Sequence, residues 1–246
     1  MKQLTLTGIL LTLISASTQA ATISVGNISD IYVANQLLGS STSAECDAAP
    51  NTTDCDFLKP GPVALDSAAL ATAVTSDPAN YVAAPYRNSA YIDLGFNGYD
   101  IYNGIGDDLV VFIVGNSTNF GLDVFDNTGA VISSDTYHVP ADGSSTVFDK
   151  DGNWLCVSGS DSSCTGGAAL SAIFIDLEDS IAGDVALGGI RILIGEDYNG
   201  TDALQTRPRL SLAGGFHVTP VPIPLPIVLF ASGLGLLGWI GRRRKS

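Results

Sequence analysis

Positive charge is scarce over most of this 246-residue chain, and what exists is unevenly placed. Of the eleven Lys and Arg, five sit at the extreme ends (Lys2, Arg242, Arg243, Arg244, Lys245), and the other six face all 25 acidic residues, a central net charge of −19. That balance excludes nucleic acid and anionic membrane surfaces as partners of the central region. It suits solubility outside the cell and can gather divalent cations. Catalytic motifs are missing as well. There is no G-x-S-x-G nucleophile turn and no H-E-x-x-H helix, and the two histidines, His138 and His217, lie far from any cysteine pair. No C-x-x-C spacing occurs, which argues against a cysteine-based zinc site. No internal repeat is visible. The chain reads as a non-enzyme.

The two ends carry the strongest patterns. Lys2, the apolar run Leu4–Ile14 and Thr18-Gln19-Ala20 have the order of a secretory leader, which predicts a signal peptide over 1–20 and a mature N-terminus at Ala21. At the other end, Val221-Pro222-Ile223-Pro224 leads into an uncharged stretch, Ile227–Ile240, that stops at Arg242, Arg243, Arg244 and Lys245. The prolines predict an extended approach, because each lacks an N–H and disfavours helix before it. A helix is expected over about 226–240, short against the roughly 20 apolar residues of a spanning segment. Basic residues beside such a segment stay in the cytoplasm, so the body faces away from it.

This tail resembles the PEP-CTERM sorting signal of Gram-negative bacteria: a Pro-x-Pro motif (here Pro222-Ile223-Pro224, with Ile where the family name has Glu), a Leu- and Gly-rich helix and an Arg-rich end. The resemblance implies recognition and removal by an exosortase, a membrane protease. It also implies export across the inner membrane to the cell surface or exopolysaccharide matrix. The competing reading is a permanent anchor that is never cut.

Between the ends, about 200 residues suffice for one domain with a sizeable core, expected over 21–216, with 217–246 as the tail. The four cysteines form two close pairs across polar loops, Cys46–Cys55 and Cys156–Cys164. In an exported chain they read as local disulfides, each worth roughly 2–3 kcal/mol. Strand signals dominate: Ile23–Val33, Ala90–Phe96, Phe120–Phe125 with Ala130–Ser133, Thr146–Phe148 with Asn153–Val157, Leu170–Leu177, Ile190–Ile194 and Arg209–Ala213. Leu109–Val114 is continuously apolar, as in a strand buried on both faces. Ser67–Val74, capped by Asp66, predicts the one helix of the body. Gly39–Pro62 reads as a surface excursion. The expected fold is mainly β, a single antiparallel β-sandwich between a leader helix and a C-terminal apolar helix. The stretch Tyr91–Gly115, with Ala172–Asp179 and Gly188–Gly195, resembles a jelly-roll body of the galactose-binding type, which implies a binding or matrix role.

Three groups of residues are candidate sites. Asp107 and Asp108 follow a glycine-rich turn and offer Ca²⁺ ligands; the alternative is that Asp107 caps the turn and Asp108 faces solvent. Asp149 and Asp151 in D-K-D-G-N are a second calcium candidate, fully explained otherwise by a hairpin turn, and Glu196–Asp202 is similar. Tyr86, Tyr91, Tyr99 and Tyr102 could stack on sugar rings or simply pack in strands. The corresponding alternative function is a carbohydrate- or Ca²⁺-dependent binding module on a permanent membrane anchor.

Overall fold

The computed structural model describes residues 22–41, 58–59, 63–64, 67–75, 81–83, 90–114, 118–157, 168–177, 181, 185–194 and 208–220. The leader, the sorting motif Val221–Pro224, the expected apolar helix at 226–240, the terminal Arg242–Lys245, Tyr86, Glu196–Asp202 and three of the cysteines lie outside these residues. Among the described residues no helix is long and apolar enough to cross a membrane.

The run Ile23–Val33 forms two strands rather than one: β1 (Thr22–Val25) and β2 (Ile28–Val33) pair across a turn at Gly26. Then come β3 (Gln36–Ser41), the two-residue strands β4 (Leu58–Lys59) and β5 (Val63–Ala64), helix α1 (Ser67–Thr75), and β6 (Val82–Ala83). The central strands are β7 (Ala90–Gly95), β8 (Tyr99–Tyr102), β9 (Leu109–Val114), β10 (Thr118–Asp126) and β11 (Val131–Val139). The chain continues with β12 (Cys156–Val157), β13 (Ala168–Ile175), β14 (Ala186–Ile194), β15 (Arg209–Gly215) and β16 (Val218–Pro220).

These strands build two antiparallel sheets in a sandwich-like, mainly-β architecture. The first runs β12-β13-β9-β15-β6-β4-β5, with the β1–β2 hairpin joined to β15 through β2. The second runs β11-β10-β14-β7-β3, with β8 joining β14 to β16. One core lies between them. Leu109, Val111 and Ile113 of β9 meet Ile92 and Leu94 of β7, Phe120 and Leu122 of β10, and Ile190 and Ile192 of β14. The other face of β9 is covered too. Val110, Phe112 and Val114 pack with Val25, Ile31 and Val147, so the β1–β2 hairpin roofs the first sheet. All six residues of β9 are buried, which is what a continuous apolar run requires. Each such side chain contributes about 1.5–3 kcal/mol of burial.

Three strands depart from the sequence pattern. β3 takes the start of the segment read as an excursion, because Gln-Leu-Leu-Gly-Ser-Ser has little alternation to announce it. Leu37 packs against the core while Leu38 lies over Gly95 and Gly189. β8 occupies the polar stretch after β7. β16 pairs with β8 through Pro220, so ordered pairing continues past residue 216. Cys156, at the start of β12, is disulfide-bonded; Cys46, Cys55 and Cys164 are not among the described residues.

Candidate functional site

The glycine-rich turn between β8 and β9 separates its two aspartates. Asp107 is exposed, whereas Asp108 is fully buried, the reverse of a turn cap followed by a solvent-facing carboxylate. The Asp108 carboxylate accepts hydrogen bonds from the Gly104 N–H (2.6 Å), the Leu177 N–H (2.8 Å) and His217 Nδ1 (2.9 Å). The backbone joins in: the Asp108 N–H donates to Ile175 O and its carbonyl accepts from the Phe216 N–H, both at 2.9 Å. One residue thus ties together the turn, the end of β13 and the β15–β16 connection. Gly104 is required by contact, since a Cβ there would lie 2.5 Å from the His217 ring. A buried carboxylate persists only when its oxygens are satisfied, and here both are held by protein donors.

The D-K-D-G-N segment closes a tight turn. Asp149 Oδ1 accepts from the Asp151 N–H (2.8 Å) and the Asn153 N–H (2.9 Å), and Gly152 has φ of 81°. The Asn153 N–H, foremost, holds the Asp149 carboxyl below the usual carboxylate value. Lys150 lies 3.5 Å from Asp151, but both are exposed and the pair contributes little. The β10–β11 turn repeats the scheme. Asp126 Oδ1 accepts from the Thr128 hydroxyl (2.6 Å), the Thr128 N–H (2.8 Å) and the Ala130 N–H (2.9 Å), with Gly129 at φ of 83°. No cluster of three or more His, Cys, Asp or Glu able to hold a metal occurs among the described residues.

Among the described residues the candidate tyrosines do not converge. Tyr91 and Asp93 alternate with the core residues of β7 and therefore lie on the outer face of the second sheet. There the Arg191 guanidinium sits 3.9 Å from the Tyr91 ring centroid and grips Asp93 through Nε (2.7 Å) and Nη2 (2.9 Å). That bidentate hydrogen bonding is the main reason the Arg191 pKa is raised. Tyr99 faces the other way. It is buried against Tyr32 and Phe96, its hydroxyl donates to Val33 O, and burial pushes its pKa up. Tyr102 is half-buried, with its hydroxyl 3.4 Å from Asp100 Oδ2.

A cleft of about 470 Å³ lies where β11 and β13 approach at the margins of the two sheets, and sequence reasoning did not single it out. Its walls include Asn27, His138, Pro140, Ser144, Phe148 and Phe174. Phe148 and Phe174 are 36% and 43% exposed, unusual for phenylalanine in a body with a well-filled core. Phe174 stacks on Phe216 with centroids 6.0 Å apart, and Phe148 bridges to Trp154, itself 47% exposed. His138 Nδ1 lies 2.7 Å from Asn119 Oδ1; it donates there, which makes Nε2 an acceptor. Ser145, also in the wall, has an enclosed hydroxyl with no hydrogen-bond partner among the described residues. The signal in the sequence is the pair of hairpin aromatics Phe148 and Trp154; beyond the segment 144–148 the described lining comes from three others, 27–28, 138–140 and 172–174.

Compared with protein-family models, with characterised proteins and with solved structures, the chain matches none.

Proposed function

We propose that the chain is a non-catalytic, exported protein of the cell surface or exopolysaccharide matrix, sorted by its C-terminal tail and released from it by an exosortase-type membrane protease. The observation that carries this reading is the three-part order of the tail: Val221-Pro222-Ile223-Pro224, an uncharged stretch to Ile240, then Arg242–Lys245. The stretch is short and proline-flanked for a lasting anchor, and its basic end fixes the orientation. The body supports an outside location by composition, with its −19 charge and paired cysteines.

The strand order supports a jelly roll in particular. From β7 onward the chain crosses repeatedly between the sheets, so that β13-β9-β15 and β11-β10-β14-β7 are the neighbours. Apart from the β10–β11 hairpin and the short β12–β13 pair, neighbours in these sheets are strands distant in sequence, as in Greek-key sandwiches.

The intact mass of the protein recovered from cells tests the sorting. A mass lacking everything beyond the Pro-x-Pro region is expected; a mass that includes Arg242 to Ser246 overturns cleavage and leaves an anchored module. The non-catalytic reading has its own test. His217 with Asp108 has the arrangement of a base and its carboxylate, so polysaccharide or ester turnover abolished by His217→Gln would overturn it.

A further inference from the structure

We infer that the cleft between β11 and β13 binds a neutral oligosaccharide segment, an inference that rests on the exported-surface reading and gives it a ligand class. Charge is the first argument. The body carries 25 acids, yet among the described residues the lining of the cleft contains no Asp, Glu, Lys or Arg. A metal ion or a basic ligand would find no carboxylate there. An acidic polymer would find no cation and would be repelled by the surrounding surface.

The lining fits a ligand with apolar faces and a hydroxyl rim. Phe148 and Phe174 present exposed rings, with Trp154 beside Phe148, and such rings are flat, rigid surfaces for sugar C–H faces. Between them stand the Ser144 and Thr146 hydroxyls, which both give and accept hydrogen bonds, and His138 Nε2, which accepts. A largely apolar concavity with a few orienting polar groups is the usual form of a small-ligand site.

An extended peptide fits less well. Strand addition needs a run of unpaired main-chain groups along a sheet edge. On β13 the edge facing the cleft is already taken at Ala172, whose N–H donates to Ser145 O (2.9 Å), which leaves only Ile173–Ile175. The facing wall carries Pro140, which has no N–H to offer.

The test uses the protein as recovered from cells, in a non-glycosidic detergent where it remains membrane-bound. It is titrated by calorimetry with cello-, malto-, manno- and galacto-hexaose and with hexagalacturonate, and Trp154→Phe assigns any fluorescence change. At least one neutral hexaose binds and hexagalacturonate does not. Phe148→Ala and Phe174→Ala each raise Kd about tenfold or more, while Tyr91→Ala, on the outer face of the other sheet, leaves Kd unchanged. Ser144→Arg, at an exposed position, blocks the cleft without touching the core and serves if an aromatic variant fails to fold. The inference is overturned by no binding of any neutral hexaose up to about 10 mM, by equal binding of hexagalacturonate, by binding that survives Ser144→Arg, or by an uncharged extended peptide that binds where the hexaoses do not. Each of these results leaves the intact-mass result standing, so the sorting and the ligand are decided separately.

Discussion

Asp108 and Asp149 have the same chemistry and opposite leverage. Each is an aspartate in a glycine-containing polar turn, and each accepts backbone N–H groups. For Asp149 the donors are two and four residues away, inside the turn itself. For Asp108 two of the three are 69 and 109 residues away, at Leu177 and His217. The first arrangement shapes one hairpin; the second holds the end of β13 and the start of β16 against the β8–β9 turn. Residue type and turn motif therefore say how a carboxylate bonds, whereas burial and chain separation say how much of the fold depends on it.

The largest expected effect follows from that difference. Asp108→Ala takes the acceptor from the buried Leu177 N–H and from the partly buried Gly104 N–H and His217 ring, and should lower unfolding stability by about 3–5 kcal/mol, measured by denaturant titration. Asp108→Asn restores part of this at most, because its NH₂ group meets N–H donors where an oxygen is needed. A loss for Asp108→Ala no greater than that for Asp149→Ala would break the comparison. The Asp93–Arg191 pair lies between the extremes. Its partners are 98 residues apart, but the side chains remain 15% and 28% exposed. Asp93→Asn should cost about 1–2 kcal/mol and less in high salt.

Local features were legible in the sequence, and features assembled from afar were not. Leu109–Val114, the Asp126 and Asp149 turns and the helix from Ser67 each depend on residues within a few positions, and each stands where its pattern puts it. Burial of Asp108 depends on Leu177 and His217, which no local pattern connects to it. Tyr91 and Tyr99 look alike in the sequence, yet alternation on β7 turns one outward while the position of the other on β8 turns it into the core. The cleft was hidden for the same reason: Asn27, His138, Ser144 and Phe174 meet only once both sheets are in register. β3 and β16 escaped because polar, glycine- or proline-bearing edge strands carry little hydrophobic alternation.

The smallest effects lie in the two matching turns, and they sharpen the comparison through pH. Both Asp126 and Asp149 have carboxyls held below the ordinary value of 3.8, Asp126 chiefly by the Thr128 hydroxyl and Asp149 chiefly by the Asn153 N–H. A depressed folded pKa contributes stability that is present above the unfolded value and disappears as pH falls through the folded one. Asp126→Asn should therefore lower the thermal midpoint near neutral pH and converge with the unaltered protein as pH falls through the depressed folded pKa. The Asp126 turn joins two nine-residue strands, so its loss is felt in global unfolding. The Asp149 turn is flanked by a much shorter pairing, the Phe148–Trp154 bridge and the Leu155 N–H to Val147 O bond, so Asp149→Asn should speed amide exchange of Gly152 and Asn153 while leaving the midpoint nearly unchanged. A midpoint loss for Asp149→Asn that persists at acid pH would show that this turn, too, is tied to the distant core.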